Sequence, residues 1–194
     1  RAERRALIHK AQELVNDGQP YVFLVHPHQV HAFNKAQLRE SSMVAQAGLG
    51  YRNIWTYLGA EPIGDRKDIV LSASEPVQAT HPLWVSGATD SWVTELIWDR
   101  IMRIGPDGLP QPWAAEKVEV AASGTEIDVT MRKGMKWHDG PPVTVEDAIF
   151  SLEAPAIGNE VPMYKPFVLN IARIERTGED SFRVHLKARD AGFL

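Results

Sequence analysis

Three histidines with metal-ligand chemistry stand close together in the first part of the chain: His26, His28 and His31. On a strand, His26 and His28 point to the same face, and His31 could fold back to complete a set of three imidazoles, as in some zinc enzymes. No glutamate stands nearby at a spacing that suits a general base or a fourth ligand. The spacing therefore favours a polar strand end followed by a turn. If the three histidines did bind a metal, the protein could be a metal-dependent hydrolase, and we keep this as an alternative function.

A second chemically suggestive stretch is Trp137-His138-Asp139. Adjacent residues of an extended chain point to opposite faces, so His138 and Asp139 cannot form the oriented pair that a general base requires. We predict a packed tryptophan and a turn aspartate instead. The chain also has no G-x-S-x-G elbow, no P-loop and no G-x-G-x-x-G motif. The sequence therefore predicts a protein that is not an enzyme and that uses no cofactor.

The amino-acid composition excludes further classes of protein. The chain has 194 residues, 44% of them hydrophobic, which is enough to bury the core of one good-sized domain or two small ones. Its net charge is −4 and no basic run exceeds a pair, so nucleic acid is not an expected partner. The absence of cysteine excludes a disulfide scaffold and a thiolate metal site. No apolar run approaches transmembrane length.

The most regular part of the sequence lies between residues 113 and 152. Residues 117–121 and 126–132 alternate apolar and polar side chains around Ser123-Gly124, which predicts two half-buried strands joined by a tight turn. Asp139-Gly140 predicts another turn. Thr144 with Asp147 three residues later is an acidic variant of the capping box, and the apolar stripe that follows predicts a helix ending at Pro155.

This region also resembles a known family. Residues 131–140 read Met-Arg-Lys-Gly-Met-Lys-Trp-His-Asp-Gly, and residues 142–151 follow Pro-Val-Thr-x-Glu-Asp-x-x-Phe-Ser. The string is similar to the signature region of the family 5 extracellular solute-binding proteins, the oligopeptide, dipeptide and nickel receptors of ABC importers. The resemblance implies an α/β fold: lobe I, with its small subdomain, of a two-lobed periplasmic-binding-protein type II-like architecture, with a mixed sheet and flanking helices. It also implies a small solute or oligopeptide as ligand and an ABC permease as partner. The expected location is periplasmic or extracellular, at the membrane through the transporter.

The order of the segments differs from that of an ordinary receptor. A helix is predicted at residues 1–17 and a buried strand at 21–25, and the segment 1–64 resembles the carboxy-terminal part of the family. Residues 65–112 resemble the first part of a mature receptor, and 113–194 its small subdomain. Residues 59–67 are the best candidate linker. The parent is then either a tandem of receptor modules or one module permuted circularly. In both cases we expect the strands at 21–25 and 68–73 to share one sheet.

Two further elements are predicted from periodicity. Asp90 or Ser91 should cap a helix whose apolar face includes Ile97 and Met102. Residues 168–176 and 181–187 should form a hairpin, with alternate side chains of the second strand facing the core.

The resemblance places the ligand-binding residues in two stretches on the cleft-facing side of lobe I. A peptide bound in extended form needs backbone hydrogen bonds, and one carboxylate can meet its ammonium terminus. A glycine permits close approach of the backbone. Asp90 is expected to cap the helix in preference to touching ligand. Trp84 either lines a side-chain pocket or packs between loops. The predicted ligand-binding residues are Glu75, Val77, Trp84, Ser86, Gly87 and Thr89.

Overall fold

In the computed structural model of the protein, the helix expected at residues 1–17 is present as α1, Ala2–Gly18. The structure describes residues 2–22, 24–25, 30–46, 49–73, 75–157 and 163–193. Contacts divide the chain into two compact units, Arg1–Ala32 and Phe33–Leu194. In the first unit, α1 has no buried residue, and its apolar stripe, including Leu7 and Leu14, is exposed.

The second unit holds all the described strands. Its helices and strands, in chain order, are α2 (Ile54–Gly59), α3 (Ala88–Ile97), β1 (Met102–Ile104), β2 (Pro110–Pro112), β3 (Ala115–Val120), β4 (Glu126–Met131), α4 (Val145–Glu153), α5 (Lys165–Val168), β5 (Ile171–Arg176) and β6 (Ser181–Leu186). The strands β1 and β2 form a small hairpin, and the other four form an antiparallel sheet in the order β3-β4-β6-β5. The expected α/β class is confirmed. The expected mixed sheet is not seen in the described residues, where every strand pair is antiparallel.

The four-stranded sheet carries the core of the second unit on one face. Buried and half-buried positions alternate along the two central strands, because successive side chains of a strand point to opposite faces. The buried residues of this core are Ala114, Ala115, Ile127, Val129, Met131, Val145, Ala148, Phe182, Val184 and Leu186. The predicted hairpins at 117–132 and 168–187 are therefore confirmed in their pairing, and the second also in the inward facing of alternate side chains on β6. The first strand of the second hairpin begins at Ile171, because Val168 belongs to α5.

The opposite face of the sheet is polar and ordered by ion pairs. Arg183 on β6 donates from Nε and Nη2 to the two carboxylate oxygens of Asp128 on β4, at 2.7 and 3.0 Å. The hydrogen bonds from Arg183 hold the pKa of the Asp128 carboxyl below its ordinary value. Aspartate is thus accommodated on this face of β4, one residue away from a buried valine at 129.

The region of the family resemblance forms the turn and the helix that its sequence indicates, but Trp137 is 36% exposed, so the prediction of a packed tryptophan is wrong. Gly140 follows the turn at Asp139 with φ of +105°, a backbone conformation that suits glycine, and its N–H donates to the Trp137 carbonyl at 3.0 Å. Trp137 Nε1 donates to Asp147 Oδ2 at 3.3 Å, so the tryptophan is tied to the start of α4. His138 is exposed and makes no hydrogen bond to Asp139 in the described part of the chain, as expected for adjacent residues.

The start of α4 is a complete capping box. The Asp147 N–H donates to Thr144 Oγ1 at 3.2 Å, and the Thr144 N–H donates to Asp147 Oδ2 at 2.8 Å. These bonds satisfy backbone donors that a helix leaves without partners in its first turn. The backbone N–H of Thr144 is also the main cause that lowers the pKa of Asp147.

We expect Thr144→Ala to lower the free energy of unfolding by about 1 kcal/mol, because Asp147 N–H loses its acceptor at the first turn of α4. Urea denaturation followed by circular dichroism measures this change. Thr144→Ser retains the hydroxyl and is expected to stay close to the unsubstituted protein. Equal losses in the two variants would contradict a role for the Thr144 hydroxyl.

The helix α3 differs from its prediction at both ends. Its N-cap is Gly87, three residues before the expected Asp90, and it ends at Ile97. Residues 102–104 then form β1 instead of continuing the helix. The buried side of α3 is polar, since Thr89, Asp90 and Thr94 are its buried residues. The apolar spacing therefore indicated a helix but did not show which side faces inward.

The described residues of the segments 21–25 and 68–73 form no strand. Tyr21, Val22, Leu24 and Val25 are exposed and unpaired, and Phe23 lies outside the described residues. Residues 68–73 also lack strand pairing, and the two segments belong to different compact units. The prediction of one shared sheet is therefore wrong for this chain. A run of apolar residues has strand propensity, but a strand forms only where another strand supplies hydrogen-bonding partners.

Part of the segment 1–64, which resembles the carboxy-terminal part of the family, nevertheless packs on the segment 65–112, which resembles its first part. Gln46 Nε2 donates to the Gly105 carbonyl at 3.1 Å, and Trp55 Nε1 donates to the Ile104 carbonyl at 2.9 Å. The rings of Trp55 and Trp113 meet edge to face with centroids 5.5 Å apart. These contacts fix α2 against the β1-β2 hairpin. The division at 64/65 and 112/113, drawn from the family resemblance, stays a prediction.

The proposed linker at 59–67 is partly ordered. The Arg39 N–H donates to the Glu61 carbonyl at 2.9 Å, and the Ile63 N–H donates to the Gln37 carbonyl at 2.9 Å. Residues 61–63 are thus held against 37–39.

Candidate binding segment along helix α3

Four of the predicted ligand-binding residues meet at the amino-terminal end of α3. The carboxylate of Glu75 accepts a hydrogen bond from the Thr89 N–H at 3.3 Å. A Cβ atom added to Gly87 would lie 2.5 Å from Glu75 Oε1, so glycine is needed for the carboxylate to come this close. The position suits an anion, because unpaired N–H groups point outward at a helix N-terminus. Ser86 stands one residue before the Gly87 N-cap.

Asp90 joins this end of α3 to the extended segment before it. Its Oδ1 accepts from the N–H groups of Gln78 at 2.7 Å and Ala79 at 3.2 Å, and its Oδ2 accepts from the N–H and hydroxyl of Ser86, both at 3.3 Å. These hydrogen bonds, led by the one from Gln78, hold the pKa of the Asp90 carboxyl below its ordinary value. Asp90 is therefore a buried acceptor for a loop and not the N-cap that its type suggested.

The far end of α3 holds the same segment through Trp98. Trp98 Nε1 donates to the Thr80 carbonyl at 2.8 Å, and its ring meets His81 edge to face at 5.3 Å. His81 Nδ1 in turn accepts from the Leu83 N–H at 3.2 Å and caps the 3₁₀ turn Pro82–Trp84.

Val77 and Trp84 are the two predicted residues that lie outside this cluster. Val77 is 47% exposed, and within the described residues its backbone N–H and C=O have no hydrogen-bond partner. An exposed, unpaired backbone of this kind can pair with an extended chain. Trp84 is exposed, and in the described part of the chain no hydrogen bond or ring contact joins it to Glu75 or Gly87.

The structure thus brings together Glu75, Ser86, Gly87 and Thr89 and leaves Val77 open beside them. The sequence prediction omitted Trp98 and gave Asp90 a different role. A buried aspartate in the first turn of a helix cannot be distinguished by sequence from an ordinary cap, because the cue is the same residue type. Thr89 Oγ1 is buried without a hydrogen-bond partner among the described residues.

Metal binding has no support in the described residues. No group of three or more His, Cys, Asp or Glu that could hold a metal ion occurs there. His31 is described and half-buried, whereas His26 and His28 lie outside the described residues. The hypothesis of a three-histidine site therefore stays a prediction.

We also examined whether any described helix could span a membrane. None of them is both long enough and apolar enough to cross a membrane.

Comparisons with known proteins agree with the elements of the second unit. Residues 110–194 match the profile of the bacterial extracellular solute-binding proteins, family 5 Middle. The oligopeptide-binding protein OppA of Bacillus subtilis is 33% identical over 67 residues, which are 34% of this chain and 12% of that protein. The chain spans less than a fifth of the length of the curated relatives that it matches.

Solved structures show the same fold at low identity. NikZ from Campylobacter jejuni, in complex with Ni(L-His), has a TM-score of 0.56 and 19% identity, over 61% of this chain and 24% of that one. The oligopeptide-binding protein AppA from Bacillus subtilis, in complex with a nonapeptide, has a TM-score of 0.51 and 19% identity, over 54% and 21%. Residues 110–194 of this chain are therefore similar to the family 5 bacterial extracellular solute-binding proteins.

Proposed function

We propose that the protein to which this chain belongs captures a small solute, by default a peptide, and delivers it to an ABC importer. The family match over residues 110–194 carries this proposal, together with relatives whose names describe oligopeptide binding. The chain spans only a small part of those relatives, so ligand and transporter are proposed for the whole receptor. Binding requires no catalysis, and we propose that the protein is not an enzyme and works outside the cytoplasm.

The proposed mechanism is closure of two lobes around the ligand, with the closed form recognised by the permease. This chain would supply one wall of the cleft. The unpaired backbone of Val77 would form main-chain hydrogen bonds with an extended peptide, and Glu75 would face a cationic group. Main-chain pairing does not depend on the peptide's side chains, so specificity would come from the shape of the surrounding pockets.

Calorimetry on two polypeptides tests the proposal. The longest natural polypeptide that contains residues 1–194 is titrated with trialanine and with a nonapeptide, and residues 1–194 alone are titrated in parallel. We expect saturable binding to the longer protein and weak or no binding to residues 1–194, which cannot enclose a ligand. Tight binding to the short chain would contradict two-lobe closure. Stoichiometric zinc in the purified longer protein, with no peptide binding, would favour the metal-dependent hydrolase instead.

Val77→Pro tests the main-chain contact directly. Proline removes the N–H, and this N–H has no partner within the described residues, so the fold should lose little. Loss of one hydrogen bond to the peptide should weaken binding by the longer protein about three- to tenfold. Val77→Thr keeps the N–H with a similar side-chain volume and serves as the matched control. Equal affinities of the two variants would exclude Val77 N–H as a ligand contact.

A further inference from the structure

The segment that precedes α3 has no backbone pairing of its own. Among the described residues, the backbone of 75–80 makes hydrogen bonds only to side chains: Gln78 and Ala79 donate to Asp90, and the Thr80 carbonyl accepts from Trp98. An extended segment without ladder bonds or tight turns samples many conformations unless it is tied down. Its placement over α3 therefore depends on these few side chains.

Asp90 has the strongest hold on the segment. It is 2% exposed, and its two oxygens accept four hydrogen bonds, three of them from backbone N–H groups. Hydrogen bonds to an ionised acceptor are shorter and stronger than those between neutral groups. The two bonded amides, Gln78 and Ala79, follow directly after Val77, whose backbone is free. The restraint therefore ends one residue away from the exposed N–H.

We propose that Asp90 is a positioning residue for ligand capture: it holds residues 78–79 and 86 on α3 so that Glu75 to Val77 stays extended and open to the solute. This inference rests on the proposed function. Asp90 does not touch the ligand in this arrangement. It supplies the ordering of the segment before the ligand arrives, and ordering in advance removes an entropic cost of binding.

Hydrogen–deuterium exchange of Asp90→Ala provides the first test, and it needs no ligand. We expect exchange of the Gln78, Ala79 and Ser86 amides to rise about tenfold or more, because each loses its acceptor. Asp90→Asn keeps one acceptor oxygen and should lie between Asp90→Ala and the unsubstituted protein. Asp128→Ala removes a hydrogen-bonded carboxylate from the sheet and should leave these three amides unchanged. Unchanged exchange in Asp90→Ala would overturn the proposal.

Peptide affinity of the longer protein is the second measurement. The dissociation constant for trialanine should rise about fivefold in Asp90→Ala, recover partly in Asp90→Asn and stay unchanged in Asp128→Ala. If the amides exchange faster but affinity is unaltered, Asp90 has only a structural role and the proposal is overturned. If the unsubstituted protein binds neither trialanine nor the nonapeptide, the proposed function is wrong, and so is the role of Asp90 in binding. Hydrogen–deuterium exchange still shows whether Asp90 holds the segment.

If Asp90→Ala does not fold, Asp90→Asn carries both measurements. Trp98→Phe then tests whether the hold of Asp90 on residues 78–79 is independent of the other end of α3. Trp98→Phe keeps an aromatic ring beside His81 but loses the Nε1 donor to the Thr80 carbonyl. The amides of Gln78 and Ala79 should then stay protected from exchange, because Asp90 is intact. We expect the affinity of the longer protein for trialanine to fall less than about twofold, which is near the limit of the measurement. Loss of protection at Gln78 and Ala79 in Trp98→Phe would show that Asp90 alone does not hold the segment, and would overturn the proposal.

Discussion

Replacing Phe182 by alanine is expected to lower the free energy of unfolding by about 3–5 kcal/mol, the range for deleting a fully buried aromatic side chain. Phe182 is 0% exposed and lies on β6, in the centre of the four-stranded sheet and opposite Val129 of β4. Its removal costs both the transfer free energy of the ring and the contacts that surrounding side chains lose to the cavity. Typical domains are stable by about 5–15 kcal/mol, so this variant should lose a large part of its stability.

Guanidinium denaturation followed by far-ultraviolet circular dichroism measures the change. The matched control is Phe150→Ala on α4, since Phe150 is 62% exposed and its removal opens no cavity. We expect the control to change stability by less than about 0.5–1 kcal/mol. Similar losses at the two positions would show that the burial of Phe182 does not support the fold.

The position of Phe182 was predictable because the relevant interactions are local in sequence. Phe182, Val184 and Leu186 alternate with polar residues, and a short turn links their strand to the preceding one. A hairpin supplies its own hydrogen-bonding partner within a few residues, so alternation and turn residues suffice to predict it. The same holds for the capping box of Thr144 and Asp147, which lies entirely within four consecutive residues.

The failed prediction at 21–25 and 68–73 has the opposite cause. Both segments have apolar residues suited to a strand, but neither adjoins a second strand in sequence. Their pairing depends on residues far away in the chain, and sequence periodicity does not report whether those residues are available. Leu24 and Val25 are more than 80% exposed for the same reason.

The candidate site shows the same division between local and distant information. Gly87 and Ser86 were predicted from the loop composition and from the family resemblance, and they do lie at the start of α3. The hydrogen bonds that Asp90 accepts from Gln78 and Ala79 span 12 and 11 residues, with no periodic pattern between them. Only coordinates show that the same aspartate serves a loop instead of its own helix. Such links determine how a binding segment is held, and sequence alone gives them least well.

Val129→Asp is expected to lower the free energy of unfolding of the second unit by more than about 4 kcal/mol, because it places an unpaired carboxylate in the core. Val129 is 4% exposed, whereas the natural aspartate one residue earlier lies on the polar face and pairs with Arg183. A shift of one residue on a strand changes the face, so the same side chain that is accommodated at Asp128 should be incompatible with position 129. Val120→Asp, at a position 49% exposed on β3, is the control and should cost about 0.5–1 kcal/mol.

The pH dependence of Val129→Asp distinguishes charge burial from loss of packing. Burial raises the pKa of an introduced carboxyl above its value in the unfolded chain. At neutral pH, ionisation of this carboxyl therefore favours the unfolded state and lowers the free energy of unfolding. The deficit relative to the unsubstituted protein should therefore be largest at neutral pH and shrink as pH falls through the raised pKa toward the ordinary carboxyl range. The loss caused by the missing apolar side chain does not titrate and should remain. A deficit that is constant from about pH 7 to about pH 4 would show that the carboxylate reaches solvent, and that β4 does not hold its inner face against the core at Val129.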